Sequence, residues 1–340
     1  MRRLTLILSD LYLPEEHAPS ALEMPNLEWL LRFAGERAAV GDWRAVMAGM
    51  LGLGAMRHVP PAQVAARGVL PATVAATAWF ATPVGYDLHI NHVRLNPRGL
   101  LRVAPDEGAQ WCTAFTRDFG ADFALTYAGV RGFLITGLAP VDAPTLDPAR
   151  LLGADVVVGL RSAGEPLSVE LARTATEIEF WLHAAPLNAA RERARRPRIS
   201  SLWLWGGGVP DLAAVAAALR TAVRAPRLFG DDPYLGGLAR ALGQTLQSAP
   251  PDFAGLSPDA GDTVVELMPM SGTQDEALAN LDARWFAPAR AALASGELEL
   301  VELLANDRYW RIARGAGRRF WRRRLTWLAG LGLPMSAAKA

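Results

Sequence analysis

From residue 198 onward the chain alternates short apolar runs with longer helical stretches, and this rhythm restricts its possible folds more than any other feature. SLWLW precedes PDLAAVAAALRTAV, RLFGDD precedes GGLARALGQTL, and TVVELMPM precedes DEALANLDARWFAPARAALASG; LELVELLAND and RYWRIAR complete the series. Strands returned by helices pair parallel, so the pattern predicts a largely parallel sheet with helices on both faces. LTLILSD (4–10) adds a continuous apolar run of the kind buried on both sides, closing on Asp10 at the carboxyl edge. PNLEWLLRFAGE (25–36) spaces Leu27, Leu30, Leu31 and Ala34 at helical intervals, with Pro25 suited to the first turn.

Residues 73–137 have a different texture. VAATAWFATPVGYDLHINHVRLN, LLRVAP, ADFALTYAG and RGFLITGL read as short strands joined by Gly, Pro and Asn turns. The expected fold class is therefore α/β with an added β-rich lobe. The α/β core is expected to be discontinuous (1–72 and 196–330), with 73–195 as the inserted lobe and 331–340 as a tail. The segment 57–72 is loop-like at both ends, and EIEFWLHAAPLN (177–188) fits either a helix or a strand.

A chain of 340 residues, half of them hydrophobic, buries a sizeable core. Its net charge of +1 favours neither nucleic acid nor an acidic membrane. The apolar run after Met1 ends at Asp10, too early for a signal-peptide core, and VMAGMLGLGAM (46–56) is too short to span a bilayer, so a cytoplasmic protein is expected. Cys112, the single cysteine, excludes an internal disulfide and a multi-cysteine metal site, and reads as a buried inert thiol. The basic stretch GRRFWRRRLTWLAG reads as a solvated amphipathic helix.

Several clusters could carry chemistry. In WGGGVPD, Gly206, Gly207 and Gly208 follow a strand and precede a helix, where backbone N–H groups can face an anion. Neither the dinucleotide nor the P-loop fingerprint is met, and Asp211 in the first helical turn would repel a phosphate, so the residues favour packing over anion binding. In the strand, Ser201, Trp203 and Trp205 share one face and Leu202 and Leu204 the other. His89 and His92 in DLHINHVRL sit three apart, a spacing that points strand side chains to opposite faces and argues against a shared metal. His183, near Glu179 and Asn188, precedes RERARRPR, a run suited either to a solvated helix face or to gripping a phosphorylated ligand through Arg191.

Three segments resemble the alkaline phosphatase-like superfamily, specifically its cofactor-independent phosphoglycerate mutases. LTLILSD places Asp10 where the superfamily holds a metal-binding aspartate. EMPNLEWLLRFAG (23–35) is similar to its Thr-Pro-Asn-Leu-Asp-x-Leu-Ala helix. SLWLWGGGVP, DDPYLGGLARALG and the strands at 263–269 and 298–305 follow the order of the archaeal-type mutases. LHAAPLNAARER, with SLWLWGGG, resembles more closely a bacterial group of phosphoglycerate mutase-related, RpfE-type regulatory proteins, whose string reads Leu-His-x-x-Pro-x-Asn-x-x-Arg.

Active mutases of this kind use two metal ions to activate a serine and stabilise the transferring phosphoryl group. The place of the superfamily's Asp-x-x-Gly-His segment reads MPMSGTQDEALANLD, without histidine, and that of its Asp-His pair contains Asp307 followed by Arg308. No nucleophile-like serine follows the first helix. The resemblance thus implies a mutase relative with an incomplete metal site, Asp10 and Asp307 being the surviving candidates and Asp231 and Asp232 nearby acids. No cofactor is expected of such a protein; an active site would use Mn or Mg and could recruit Asp87, His89 and His92. The implied ligand is a small phosphorylated metabolite or a protein partner, with Asp10, Gly206–Gly208, Asp231, Asp307, His183, Asn188 and Arg191 as binding candidates. An active mutase or phosphohydrolase, and a protein-interaction module, are the alternatives.

Overall fold

The computed structural model describes residues 3–9, 11–12, 22–75, 77–97, 100–120, 122–138, 145–157, 168–209, 225–256, 261–268, 274–305, 307–319 and 321–332. Asp10 and the whole of the expected helix at 210–223, Asp211 included, lie outside them. The described strands are β1 (Arg3–Leu8), β2 (Glu36–Ala39), β3 (Trp79–Val84), β4 (Tyr86–Leu88), β5 (Val93–Leu95), β6 (Ala124–Gly129), β7 (Gly132–Thr136), β8 (Ser201–Trp205), β9 (Arg227–Phe229), β10 (Thr263–Leu267), β11 (Leu300–Ala305) and β12 (Arg308–Ala313). The protein is mixed α/β, with a mostly parallel six-stranded sheet, a four-stranded antiparallel sheet and a two-stranded hairpin. It divides into two compact units, 1–47 with 223–231 and 245–340, and 48–222 with 232–244. Among the described residues no helix is long and apolar enough to cross a membrane.

The first unit holds the six-stranded sheet, in the order β2-β12-β11-β1-β10-β9. β1 pairs parallel with β10 on one side and β11 on the other, and β10 pairs parallel with β9, as the apolar runs and long crossovers predict. β12 returns antiparallel from β11 and β2 pairs antiparallel with β12, which completes one side of the sheet without further helices. Leu4, Leu6 and Leu8 join Val265, Leu267, Val301 and Leu303 in one core. Against it pack Leu27, Leu30 and Leu31 of the helix Pro25–Phe33, together with residues of the helical stretch 274–295 and of the helix Trp327–Leu331.

Both ends of the helix Pro25–Phe33 are closed by distant side chains. Its Met24 N-cap makes no side-chain hydrogen bond. Instead buried Asp282, in the π-helical turn Asp282–Phe286, accepts from Leu27 N at 2.8 Å, Asn26 N at 3.3 Å and Asn26 Nδ2 at 2.8 Å. A carboxylate there satisfies N–H groups left over by the helix and complements its dipole. At the other end Arg37 donates to Leu31 O and Arg32 O, and Arg322 to Arg32 O and Ala34 O. The expected amphipathic helix over the basic stretch is thus a correction: among its described residues a short 3-10 turn at Ala316–Arg318 is followed by non-helical backbone up to Thr326. Arg322 is spent on carbonyls rather than displayed on a helix face.

The second unit holds the antiparallel sheet β6-β7-β3-β8. The strand Ser201–Trp205, read with the parallel series in the sequence, pairs antiparallel with β3. Its two faces behave as the period of two demands: Leu202 and Leu204 enter the core with Trp79, Phe115, Ile135 and Ile178, while the Trp205 indole stacks on Phe80 and donates to Thr82 Oγ1 at 2.8 Å. The 73–137 stretch is less β-rich than expected, because Pro105–Phe119 is a helix. Pro105 opens it, Asp106 and Glu107 complement its first turn, and Trp111 and Phe115, four apart, give it a buried stripe. Residues 177–184 are helical, within Val169–Ala184, and the break before Pro186 starts a second helix, Pro186–Arg193. Pro60 and Pro61 open the helix Pro61–Val69 rather than a loop.

Candidate functional site

The carboxyl ends of parallel strands are where open α/β sheets place their ligands. In the first unit that edge is organised by Glu266, a buried acid near the end of β10. One of its oxygens accepts from Ser9 Oγ, just beyond β1, and the other from Asp231 N at 3.0 Å, just beyond β9. A single carboxylate therefore ties three strand ends together. The backbone comes close enough that a Cβ on Gly230 would lie 2.7 Å from Glu266 Cβ, at a φ of +147° that already favours glycine.

Beside this clamp lies a cavity of about 330 Å³. Asp231 and Glu266 contribute carboxylates, and Asn280 and Arg284 contribute an amide and a guanidinium from the helical stretch, with Pro250 and Trp285 among the apolar lining. Asp282 and Arg284 stand two residues apart on one helical stretch, a spacing that turns them to different sides, so Asp282 caps the helix Pro25–Phe33 while Arg284 lines the cavity. The site offers acceptors for hydroxyl groups and donors for an anion.

Asp307 stands at the same edge but serves a different purpose. It lies in the tight turn joining β11 to β12, where Ala305 pairs with Arg308, and its φ of +60° is one that Asp tolerates in two-residue hairpins. Tyr12 Oη donates to its carboxylate at 2.6 Å. With β1 and β10 between β11 and β9, three strand spacings separate the ends carrying Asp307 and Asp231, about 14 Å. Another buried acid, Glu302 on β11, accepts from Thr5 Oγ1 at 3.0 Å and Tyr309 Oη at 2.6 Å. Burial first, then the adjoining Glu302, raises the Tyr309 pKa above its ordinary value.

The remaining sequence candidates fall in the second unit, where their polar atoms hold the chain together. Asn188 is buried; its Nδ2 donates to Leu182 O at 2.8 Å and Ile199 O at 2.9 Å, and its Oδ1 accepts from Ile199 N at 2.9 Å. Buried Arg191 donates to Pro197 O at 2.7 Å and pairs with Glu107, whose other oxygen pairs with Arg196 at 2.8 Å. The Asn and Arg of the LHAAPLNAARER string thus secure a helix break and a chain reversal. His183 is exposed, and its carbonyl accepts from Arg198 at 3.0 Å. Asp232 caps the helix Pro233–Ala241 and pairs with buried Arg131 at 2.9 Å.

In the glycine loop, Gly206 O accepts from Ala62 N at 2.8 Å and Gly208 O from Gln63 Nε2 at 2.9 Å, so two carbonyls close on the helix Pro61–Val69. Gly207 lies against the Trp79 indole. Asp87 accepts from Asn96 at 3.1 Å. His89 and His92 do not point to opposite faces: the chain turns between β4 and β5, His89 N donates to His92 O, and the rings stack 4.7 Å apart. Among the described residues no group of three His, Cys, Asp or Glu is arranged to hold a metal ion. Sequence reading missed Glu266, Ser9, Asn280 and Arg284; Ser9 had the signal of adjoining Asp10 at a strand end, while Glu266 looked like one polar residue inside an apolar run.

The fold and this edge define a mixed α/β protein with a polar cavity at the carboxyl end of a mostly parallel sheet. No family model matches the chain, nor does any curated protein. Among solved structures it is similar to the cofactor-independent phosphoglycerate mutase from Thermoplasma acidophilum DSM 1728, with 16% identity and a TM-score of 0.38, over 92% of this chain and 89% of that one. It is also similar to the PH0037 protein from Pyrococcus horikoshii, with 13% identity and a TM-score of 0.42, over 92% of this chain and 87% of that one.

Proposed function

We propose that this chain is a phosphoglycerate mutase-related protein that binds a small phosphorylated metabolite at the carboxyl edge of its parallel sheet. It acts in regulation, directly or through a protein partner, rather than as a metal-dependent mutase. Its parallel sheet corresponds to an alkaline phosphatase-like core, and the lobe expected over 73–195 to the second unit, 48–222 with 232–244. The cavity beside Glu266 carries this proposal: Arg284 and Asn280 suit a phosphate, and Asp231 and Glu266 suit hydroxyl groups on the same small molecule. The sequence resemblance supplies the substrate class, and the absence of histidine from MPMSGTQDEALANLD and from the position after Asp307 supports a metal site that has degenerated.

A thermal-shift titration with 3-phosphoglycerate, with and without manganese, tests the proposal alongside a coupled mutase assay. The expected result is a rise in melting temperature without manganese, lost in Arg284→Ala, and no turnover. At 100-fold saturation the ligand stabilises the folded state by about 2.7 kcal/mol, enough to be read clearly. Absence of a shift, or turnover accompanied by two bound manganese ions per chain, would overturn it. Turnover of that kind would establish the second reading, an active mutase using Mn or Mg, which the acids gathered at the sheet edge favour.

A further inference from the structure

Asp282 brings negative charge to the start of the helix Pro25–Phe33; around its last turn the chain gathers positive charge instead. A hollow of about 490 Å³ lies there, within the first unit, and Arg32, Arg37, Arg322 and Arg323 line it. Arg32 comes from the helix, Arg37 from β2, and Arg322 and Arg323 from the non-helical backbone before Thr326. Arg319 reaches its edge, with Nη1 3.6 Å from where a Cβ on Gly35 would stand. Among the described residues no carboxylate lines the hollow. The acids closest in sequence are turned elsewhere. Glu28 accepts from Trp327 N at 3.1 Å, and Glu36 shares a face of the sheet with its partner Arg311, opposite to the face of Arg37.

Capping the helix accounts for only part of this charge. A helix C-terminus carries about half a negative charge, spread over its last carbonyls. Arg37 Nη2 donates to Leu31 O and Arg32 O, and Arg322 Nη1 to Arg32 O and Ala34 O. Two full charges thus meet on the Arg32 carbonyl, an excess of about +1.5 over the helix dipole before Arg32 and Arg323 are counted. The whole chain carries only +1, so the concentration is local. Partial burial first, then the neighbouring Arg322, lowers the Arg37 pKa below its ordinary value, as expected where like charges are held together without an acid between them. The carbonyl bonds engage one nitrogen of each guanidinium, a planar fork with five N–H donors. They also hold both forks in place before any ligand arrives, which removes part of the ordering cost of binding.

Charge and volume together restrict the ligand. Arginine forks match phosphoryl oxygens, which they bind bidentately. One phosphate brings about −1.5 to −2 charges at neutral pH, enough to balance Arg37 and Arg322 but not Arg32 and Arg323 as well. A hollow of this size also takes a ligand larger than a single phosphate. We infer that it binds a small anion with two linked phosphoryl groups, one held by Arg37 and Arg322 and the other by Arg32 and Arg323. Free diphosphate and the diphosphate of a nucleotide present the same chemistry. The site shares no lining residue with the cavity beside Glu266 and lies at the other end of a nine-residue helix, roughly 13 Å long, from the cap made by Asp282. It stands whether or not that cavity binds a metabolite.

Isothermal titration of the full chain with pyrophosphate, at low salt and without divalent cations, tests the site. One pyrophosphate per chain is expected, bound about tenfold more tightly than inorganic phosphate or citrate and weakened by added potassium chloride. Arg323→Gln removes an exposed guanidinium and should weaken pyrophosphate about tenfold with an unchanged melting temperature, the loss of one charge-assisted pairing. Arg37→Gln should weaken it as much; its circular dichroism is read in parallel, because that variant also loses bonds to the end of the helix. Arg284→Ala, in the other cavity, should leave pyrophosphate affinity within about twofold of the native value. Binding that does not saturate, phosphate or citrate binding as tightly as pyrophosphate, or native affinity in Arg323→Gln would overturn the site. Loss of binding in Arg284→Ala would place the anion beside Glu266 and overturn it as well. Sedimentation with phosphatidylserine vesicles that excess pyrophosphate does not reverse would assign the arginines to a membrane surface, which also overturns it.

Discussion

Gly207 separates two accounts of the glycine loop, a cradle for an anion and a device for close packing. A Cβ built there would fall against Cδ2, Cε2 and Cγ of the Trp79 indole, the last at 2.5 Å. Trp79 is completely buried, so the ring has nowhere to go. Gly207 is not among the glycines with positive φ, unlike Gly206 and Gly208, so alanine meets a steric penalty and no backbone strain. Overpacking of this kind costs about 1–3 kcal/mol, and the fully enclosed ring puts Gly207→Ala near the upper end. Trp79→Ala alone should cost about 3–5 kcal/mol. In that background the clash is gone, and Gly207→Ala should become neutral or stabilise by about 0.4–1 kcal/mol through the entropy of the unfolded chain. Urea unfolding followed by circular dichroism, with each transition fitted separately because two compact units need not melt together, gives the four corners of the cycle. If Gly207→Ala alone stays within about 0.5 kcal/mol of the native protein, or loses its full cost again in the Trp79→Ala background, the packing argument fails.

Two further predictions concern charges that the structure places. Asp282→Ala removes three hydrogen bonds from the start of the helix Pro25–Phe33 and should destabilise the protein by about 2–3 kcal/mol; a loss below about 0.5 kcal/mol in chemical denaturation would show that water caps that end equally well. Asp118 is held down to about 2, first by the Arg117 hydrogen bond and then by the Trp181 indole N–H. A depressed folded pKa means that its stabilisation is complete above the unfolded value near ~3.9 and is lost as pH falls through about 2. Carbon-detected titration at low salt should give that midpoint, rising in Trp181→Phe and with added salt; an ordinary aspartate midpoint in the native protein refutes the assignment.

Much of the local structure was legible in the chain. β1, β9, β10 and β11 follow from short apolar runs, and the helix Pro25–Phe33 follows from its leucine spacing and its opening proline. These signals involve residues that are neighbours in sequence, so burial on one face or both leaves a periodicity that can be read without the fold. The alternation of Leu202 and Leu204 with Trp203 and Trp205 was correct for the same reason. The helix Pro105–Phe119 was legible too, in Pro105 and the Trp111–Phe115 spacing, but was passed over among the strands around it.

Which strands pair was beyond the reach of local pattern. An apolar run such as SLWLW suits a parallel or an antiparallel sheet equally, and only partners more than a hundred residues away placed it beside β3. The roles of polar residues were decided the same way. Asn188 and Arg191 look like ligand-binding residues in a motif but spend their hydrogen bonds on a chain reversal, whereas Glu266 looks incidental and gathers three strand ends. Apolar faces and helix starts could be read from the residues because they depend on spacing along the chain. Strand pairing, the partners of buried charges and the shape of the cavity at the sheet edge came only with folding, because each depends on groups that meet once distant parts of the chain are brought together.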